Sequence, residues 1–316
     1  MRKLLITRPL PDAVIAAAKV RYDTTLRDAT TPLTPGELRA ALRDYDAILP
    51  TLGDLFRADV FADVPQPRAR ILANFGVGYN HIDAVAARAA GIAVTNTPGA
   101  VTDATADIAM TLLLMTARRA GEGERLVRAG AWAGWHPTQM LGTHVTGASL
   151  GIIGMGRIGK AIARRCHFGF GMRVMFHNRS VVDDPGCPAH QVTMAQAMAA
   201  DFVVAAVPGS PATHHLINAE TLNHMRPHGI LINISRGDVV DEAAMIAALQ
   251  SGQIAGAGLD VYEFEPQIPS VLQAMENVTL LPHLGTAVPG VREAMGLMAV
   301  ANLIAHLNGD PLPNPV

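Results

Sequence analysis

Residues 149–164 run SLGIIGMGRIGKAIAR. An apolar, strand-like stretch closes on Gly154-Met155-Gly156-Arg157-Ile158-Gly159, and a segment rich in Ala, Ile and Arg with helical character follows. A GxGxxG in this strand–turn–helix setting is the fingerprint of a dinucleotide-binding βαβ unit. Gly154 permits the tight turn, Gly156 lets the backbone approach a pyrophosphate, and Gly159 lets helix and strand pack closely. Backbone N–H groups near Arg157 and Ile158 open the helix and face the anion.

The same alternation extends in both directions. Downstream, strands are expected at 172–176, in DFVVAAVP (201–208), GILINIS (229–235), IAGAGLDVY (254–262) and VTLLP (278–282), with helices over 157–167, 194–200 and 242–250. Upstream, RKLLIT (2–7), DAILP (46–50), ARILAN (69–74) and 92–95 read as short buried strands, with helices at 11–19 and in TPGELRAALRD (34–44). Repeated β-then-α implies parallel sheets covered on both faces. A turn at Asn96-Thr97-Pro98-Gly99 precedes a long apolar helix from about Thr102, and LGTAVPG (284–290) precedes another over 291–307. The last helix is expected to pack back on the N-terminal unit. The expected fold is therefore α/β, two Rossmann-like doubly wound parallel-sheet domains. The substrate domain is discontinuous, 1–98 plus 286–316, and the dinucleotide-binding domain spans 99–285.

Composition bounds the function. The 316 residues carry 25 Lys+Arg and 27 Asp+Glu, 49% hydrophobic and 16% charged residues. That is enough apolar material for sizeable cores, and it excludes a disordered chain. The small net charge of -2 argues against a nucleic-acid partner. No run reaches the ~18 apolar residues of a membrane span, so no membrane partner is expected. Two cysteines, Cys166 and Cys187, form no CxxC or disulfide framework and fit a reduced, cytoplasmic chain. The histidines lack HxxxH or Cys/His ligand spacing, so no metal is expected. The adjacent His214 and His215 would diverge on a strand or helix and are read as surface or capping residues.

The end of the strand after the fingerprint decides the cofactor. Asn178-Arg179-Ser180 stands there, Asn178 being 19 residues beyond Gly159. An NAD site usually places Asp or Glu here to accept from the ribose hydroxyls. A guanidinium attracts a 2′-phosphate instead and pairs with it bidentately. The expected cofactor is NADP(H), with Arg179 as main phosphate ligand and Asn178 and Ser180 assisting.

Further polar residues follow later strands: Arg236 after INIS, Asp260 and Glu265 in GLDVYEFEP (258–266), and His283 in PHLG (282–285). Ligands of open parallel sheets bind at the carboxyl ends of strands, so these four are expected to converge on the nicotinamide. With GVGYNHID (76–83), TNTPGAVTDATAD (95–107) and ISRGDVVDE (234–242), these motifs resemble the D-2-hydroxyacid dehydrogenase family, and most of all its glyoxylate/hydroxypyruvate reductase branch. The resemblance covers nearly the whole chain. It implies an Arg236/Glu265/His283 active site, two domains closing over the substrate, and a homodimer.

The chemistry these residues support is reduction of a small 2-keto acid to a 2-hydroxy acid. Arg236 can hold the substrate carboxylate and polarise the ketone. Backbone N–H groups of the Gly76-Val77-Gly78 turn can take the remaining carboxylate lone pairs. His283 is the candidate proton donor, and Glu265 would orient its ring and favour the imidazolium. Asp260 fits a place near the nicotinamide or a tuning role better than proton donation. Within the resemblance, Leu52, Val77 and Gly78 match the substrate-side wall. Thr105, Val207, Pro208, Ile234, Ser235 and Gly285 match residues around the cofactor. Trp135 matches either one that reaches a neighbouring subunit's pocket or one buried in a dimer interface. His136 stands where some relatives carry Arg or Lys, and Leu284-Gly285-Thr286 replaces a more usual Ile-Gly-Ser. With no regulatory domain expected after residue 316, a long-form phosphoglycerate dehydrogenase is disfavoured. Other readings are a 2-ketogluconate reductase, an oxidising NAD-dependent relative, or a dinucleotide-sensing corepressor.

Overall fold

A computed structural model describes residues Met1–Val316. The chain forms two compact units, Met1–Val101 with Ala287–Val316, and Thr102–Thr286. All named strands pair in parallel.

The first unit holds β1 (Lys3–Ile6), β2 (Asp23–Leu26), β3 (Ala47–Leu49), β4 (Ile71–Ala73) and β5 (Ala93–Thr95), in the order β2-β1-β3-β4-β5. Side chains of one strand alternate between two cores. Leu5, Ile48, Leu72 and Val94 join one layer; Leu4, Ile6, Leu49 and Ile71 join the other. This is the period-2 signature of a sheet buried on both faces. The helix Pro35–Asp44 starts on a Thr34/Glu37 capping box with Pro in its first turn. The last helix, Pro289–Asn308, packs on the helix Asp12–Lys19 and on β4. The tail then runs antiparallel beside β5, Val316 N donating to Val94 O at 3.1 Å, which covers that sheet edge.

The second unit holds β6 (Ser149–Ile153), β7 (Arg173–His177), β8 (Ala189–Gln191), β9 (Phe202–Ala205), β10 (Ile230–Asn233), β11 (Gly256–Leu259) and β12 (Val278–Leu280). Their order is β12-β11-β10-β9-β6-β7-β8. The chain runs from β6 to β7 and β8 on one side, then crosses to β9 on the other side of β6. The strand order therefore reverses at β6, where open α/β sheets place their ligand crevice. Ile152, Phe202, Val204 and Ile232 face one core, and Ile153, Val203, Ala205 and Leu231 the other. The helix Thr102–Ala117 lies over β10, β11 and β12 and against the helix Arg157–Arg164.

Departures from expectation have local causes. The helix expected over 157–167 stops at Arg164 and widens into a π-helical turn, Arg165–Gly169. β2 and β8 were not expected. Their sequences, DTTL and AHQ, carry no apolar run because both are edge strands and partly exposed. Cys166 is buried and free, and Cys187 is partly exposed and free. No helix is long and apolar enough to cross a membrane.

Candidate active site

The fingerprint turn is built by close packing. Gly154 has φ +101°, and a Cβ there would meet Ala206 O at 2.7 Å. A Cβ on Gly159 would meet Gly154 O at 2.2 Å, so only a hydrogen lets the helix approach the strand end. Gly156 differs: a Cβ there would meet nothing within 4 Å. It borders open space at the start of a helix whose first turn has no side-chain cap and no acidic residue. The leading N–H groups, Arg157 and Ile158 among them, are thus left for an external anion. These residues fit a dinucleotide pyrophosphate.

Two substitutions separate the roles. Gly159→Ala should lower the melting temperature of the free protein, since overpacking of this kind costs about 1–3 kcal/mol. Gly156→Ala, at the helix N-cap with no clash to overcome, should lower it less than Gly159→Ala does while weakening dinucleotide binding. Thermal melts and cofactor titrations read both; an equal loss of stability in the two variants would contradict the assignment.

At the end of β7, Asn178 turns inward. Its Oδ1 accepts from Met155 N at 3.2 Å, and its Nδ2 donates to Ser180 O at 2.9 Å and to Ser180 Oγ at 3.2 Å. Asn178 therefore ties the β7 end to the glycine turn, while Arg179 and Ser180 are exposed beside it. Val207 touches the Cβ direction of Gly154, and Pro208 O accepts from Thr213 Oγ1 at 2.7 Å.

The catalytic candidates follow β10, β11 and β12. After β10, Asn233 organises the turn: its Oδ1 accepts from Ser235 N at 3.1 Å and Ser235 Oγ at 2.9 Å, and its Nδ2 donates to Arg236 O at 2.9 Å. Ile234 and Ser235 are buried beneath it. Arg236 Nη1 donates to Ser235 O at 2.6 Å. Gly209 lies directly under the Arg236 side chain, where a Cβ would meet Cγ at 2.6 Å. Burial pushes the guanidinium below its ordinary value, and the charges of Glu265 and Asp238 oppose that shift. It remains a cation throughout the working pH range.

His283, after β12, has φ +53°, a left-handed backbone that a side-chain-bearing residue adopts only when its surroundings hold it there. Asp260, at the end of β11 and almost wholly buried, supplies that hold. Its carboxylate accepts from Leu284 N at 2.6 Å and from Gly285 N at 2.8 Å. Burial raises the Asp260 carboxyl, against these two N–H groups and the nearby His283. Thr105 Oγ1 donates to Gly285 O at 3.1 Å, so Thr105, Asp260 and Gly285 jointly fix the loop that carries His283.

His283 Nδ1 lies 3.0 Å from Glu265 Oε2, and the two side chains are 29% and 30% exposed. Glu265 Oε1 accepts from Tyr262 N at 3.0 Å. Burial alone would raise the Glu265 carboxyl, but the His283 hydrogen bond and charge, the Tyr262 N–H and the Arg236 guanidinium together bring it below the usual range. The pair is thus a carboxylate hydrogen-bonded to one imidazole nitrogen, the layout of an oriented acid/base.

Sequence reasoning missed Asn233, Gly209 and Gly237. A Cβ on Gly237 would meet the Tyr262 carbonyl carbon at 1.8 Å, so the Arg236 loop rests directly on the Glu265 segment. The signal available for them was only a polar or glycine residue at a strand end. The divergence expected of His214 and His215 is wrong. Their rings stack with centroids 4.0 Å apart, because His215 takes φ +49° in a turn rather than a strand or helix. Trp132 and Trp135 are 52% and 79% exposed in this chain. Leu52, Val77 and Gly78 lie in the first unit, after β3 and β4, where Asn74 Nδ2 donates to Gly76 O and Gly78 O and Asn96 Nδ2 donates to Val77 O.

Comparison with known proteins agrees with this geometry. A family model described as D-isomer specific 2-hydroxyacid dehydrogenase, NAD binding domain, matches residues 110–285. The chain is similar to a glyoxylate reductase of Thermococcus onnurineus, 42% identical over 99% of this chain and 95% of that one. It is 37% identical to a glycerate dehydrogenase of Hyphomicrobium methylovorum, over 94% of each. Among solved structures it resembles an NADPH-dependent glyoxylate/hydroxypyruvate reductase of Sinorhizobium meliloti in complex with NADP and malonate. The TM-score is 0.88 at 36% identity, covering 100% of this chain and 96% of that one. Sheet order, fingerprint and overall likeness lead to one assignment: the chain belongs to the D-2-hydroxyacid dehydrogenase family, on its glyoxylate reductase branch.

Proposed function

We propose that this chain reduces small 2-keto acids, glyoxylate and hydroxypyruvate foremost, to D-2-hydroxy acids with NADPH. The observation that carries the reading is the placement of Glu265. It bonds His283 at 3.0 Å and lies within electrostatic reach of Arg236, so one carboxylate joins the anion-binding cation to the acid/base imidazole. When bound, the reduced nicotinamide supplies a hydride for the ketone carbon. Arg236 holds the substrate carboxylate and withdraws charge from the ketone oxygen. His283 gives its proton to the developing alkoxide, and the Glu265 carboxylate, 3.0 Å from Nδ1, fixes the ring. Asp260 and Thr105 keep the His283 loop in place.

The phosphorylated cofactor is supported by the exposed Arg179 and Ser180 beside the glycine turn and by the absence of a carboxylate in Asn178-Arg179-Ser180. Likeness to an enzyme crystallised with NADP points the same way. A homodimer belongs to the same proposal, supported by the exposed Trp132, Trp135 and Leu141; sedimentation at a mass near 33.3 kDa would remove it. The deciding experiment is a kcat/KM panel of 2-keto acids with NADPH and NADH side by side. Glyoxylate and hydroxypyruvate should lead with NADPH; no turnover of any 2-keto acid would overturn the reading.

A further inference from the structure

His214, His215 and Glu263 have no part in the hydride chemistry, yet their ligand atoms all lie within 4.8 Å of one another. We propose that they form a site for one divalent transition-metal ion of the Zn2+ class, clipping the turn after β9 to the segment that carries Glu265.

Two of the three ligands are already held. His215 Nε2 is 2.8 Å from Glu263 Oε1, and its Nδ1 faces Asp241 Oδ2 at 3.9 Å. A carboxylate behind a ligating imidazole favours one orientation of the ring. The His215 backbone is pinned as well, its N–H donating to Asp238 O at 2.7 Å. Glu263 Oε2 accepts from Glu242 N at 3.3 Å, which fixes that side chain from the other end.

The third ligand is adjustable. His214 is exposed, so its ring can swing without disturbing the core. Its stacking on His215 at 4.0 Å already puts it beside the pair. Tetrahedral zinc, with bonds of about 2.0–2.2 Å, sets neighbouring ligand atoms roughly 3.4 Å apart. A metal replacing the proton shared by His215 and Glu263 therefore needs them to part by about half an ångström. His214 closes the remaining gap, and water completes the shell.

The donor chemistry selects the ion. Two imidazoles and one carboxylate suit Zn2+, Ni2+ or Cu2+, whereas Mg2+ and Ca2+ prefer all-oxygen shells. The local charge also favours a cation. Glu263, Asp241 and Glu242 gather here: Glu263 N donates to Glu242 Oε2 at 3.4 Å, and Asp241 Oδ2 lies 3.9 Å from His215 Nδ1. The clip would reach the active-site frame through backbone. Tyr262 N bonds Glu265, and the Tyr262–Glu263 peptide abuts Gly237, next to Arg236.

The test titrates Zn2+ into untagged, metal-stripped protein against a chromogenic chelator. Wild type should bind one ion per chain at this site. His214→Ala and Glu263→Gln should each weaken it at least tenfold, and His190→Ala, at an exposed histidine on β8, should not. Zn2+ should also raise the melting temperature of wild type and His190→Ala but not of His214→Ala. With Cu2+, the electron spin resonance spectrum should show coupling to two nitrogens in wild type and to fewer in His214→Ala. No binding tighter than 100 µM, or equal affinity in wild type and His214→Ala, would overturn the site and leave a structural His215–Glu263 hydrogen bond. His214→Ala removes only an exposed ring, so its result does not depend on refolding of the core.

Discussion

Replacing His283 with Gln should lower kcat by about 10²- to 10⁴-fold, the range a positioned general acid contributes, while the dinucleotide Kd stays within about twofold. Glutamine keeps a similar reach and can hydrogen-bond a ketone oxygen, but it has no transferable proton. The loop should survive the change. Its geometry is held by Asp260 accepting from Leu284 N and Gly285 N, and by Thr105 donating to Gly285 O. Residue 283 has φ +53°, and the bonds that hold this turn run through Asp260, Thr105, Leu284 and Gly285 and do not use the His283 side chain. Loss of turnover with retained binding therefore reads the proton and not the fold. Single-turnover kinetics with substrate in excess, beside a cofactor titration, would check it. A kcat within threefold of wild type would remove His283 from proton transfer.

The same pair sets a sign for acid sensitivity. The folded Glu265 carboxyl is held below its usual range, so its interaction with His283 is complete above the ordinary glutamate value. That contribution is lost as pH falls through the depressed folded value. Glu265→Gln should abolish this part of the acid dependence of stability.

How far the sequence reveals this molecule depends on what each residue has to do. The strands of the second unit are legible because both faces are buried, which leaves continuous apolar runs such as LGII and FVVA. β2 and β8 are silent because an edge strand needs no such run. The glycine turn is legible because its chemistry dictates spacing along the chain. Arg236, Glu265 and His283 are legible as polar residues at strand ends. The reason they stay in place is not: Asp260 serves backbone groups 24 and 25 residues away, and Gly209 and Gly237 act by lacking a side chain. The His214–His215 stack depends on one backbone angle, which the tripeptide Thr213-His214-His215 does not specify.

Arg179→Asp should weaken NADPH by about 100-fold and leave NADH within about threefold. A charge-assisted hydrogen bond contributes about 1.5–3 kcal/mol, and reversing the charge adds repulsion of the 2′-phosphate. Selectivity comes from position. Asn178 is committed inward, to Met155 N and Ser180, so it buttresses the glycine turn in the variant as in wild type. Arg179 is exposed one residue further on, so its replacement costs the free fold little. A carboxylate there can also accept from the ribose hydroxyls of NADH, which offsets any general loss. Paired Kd measurements for the two cofactors isolate the phosphate, because every other contact is shared. Raising ionic strength should weaken NADPH more in wild type than in the variant, since screening acts on the attraction that the substitution removes. Parallel losses for both cofactors would show that Arg179 supports the turn and does not discriminate the phosphate. Unchanged binding of both would place the phosphate elsewhere.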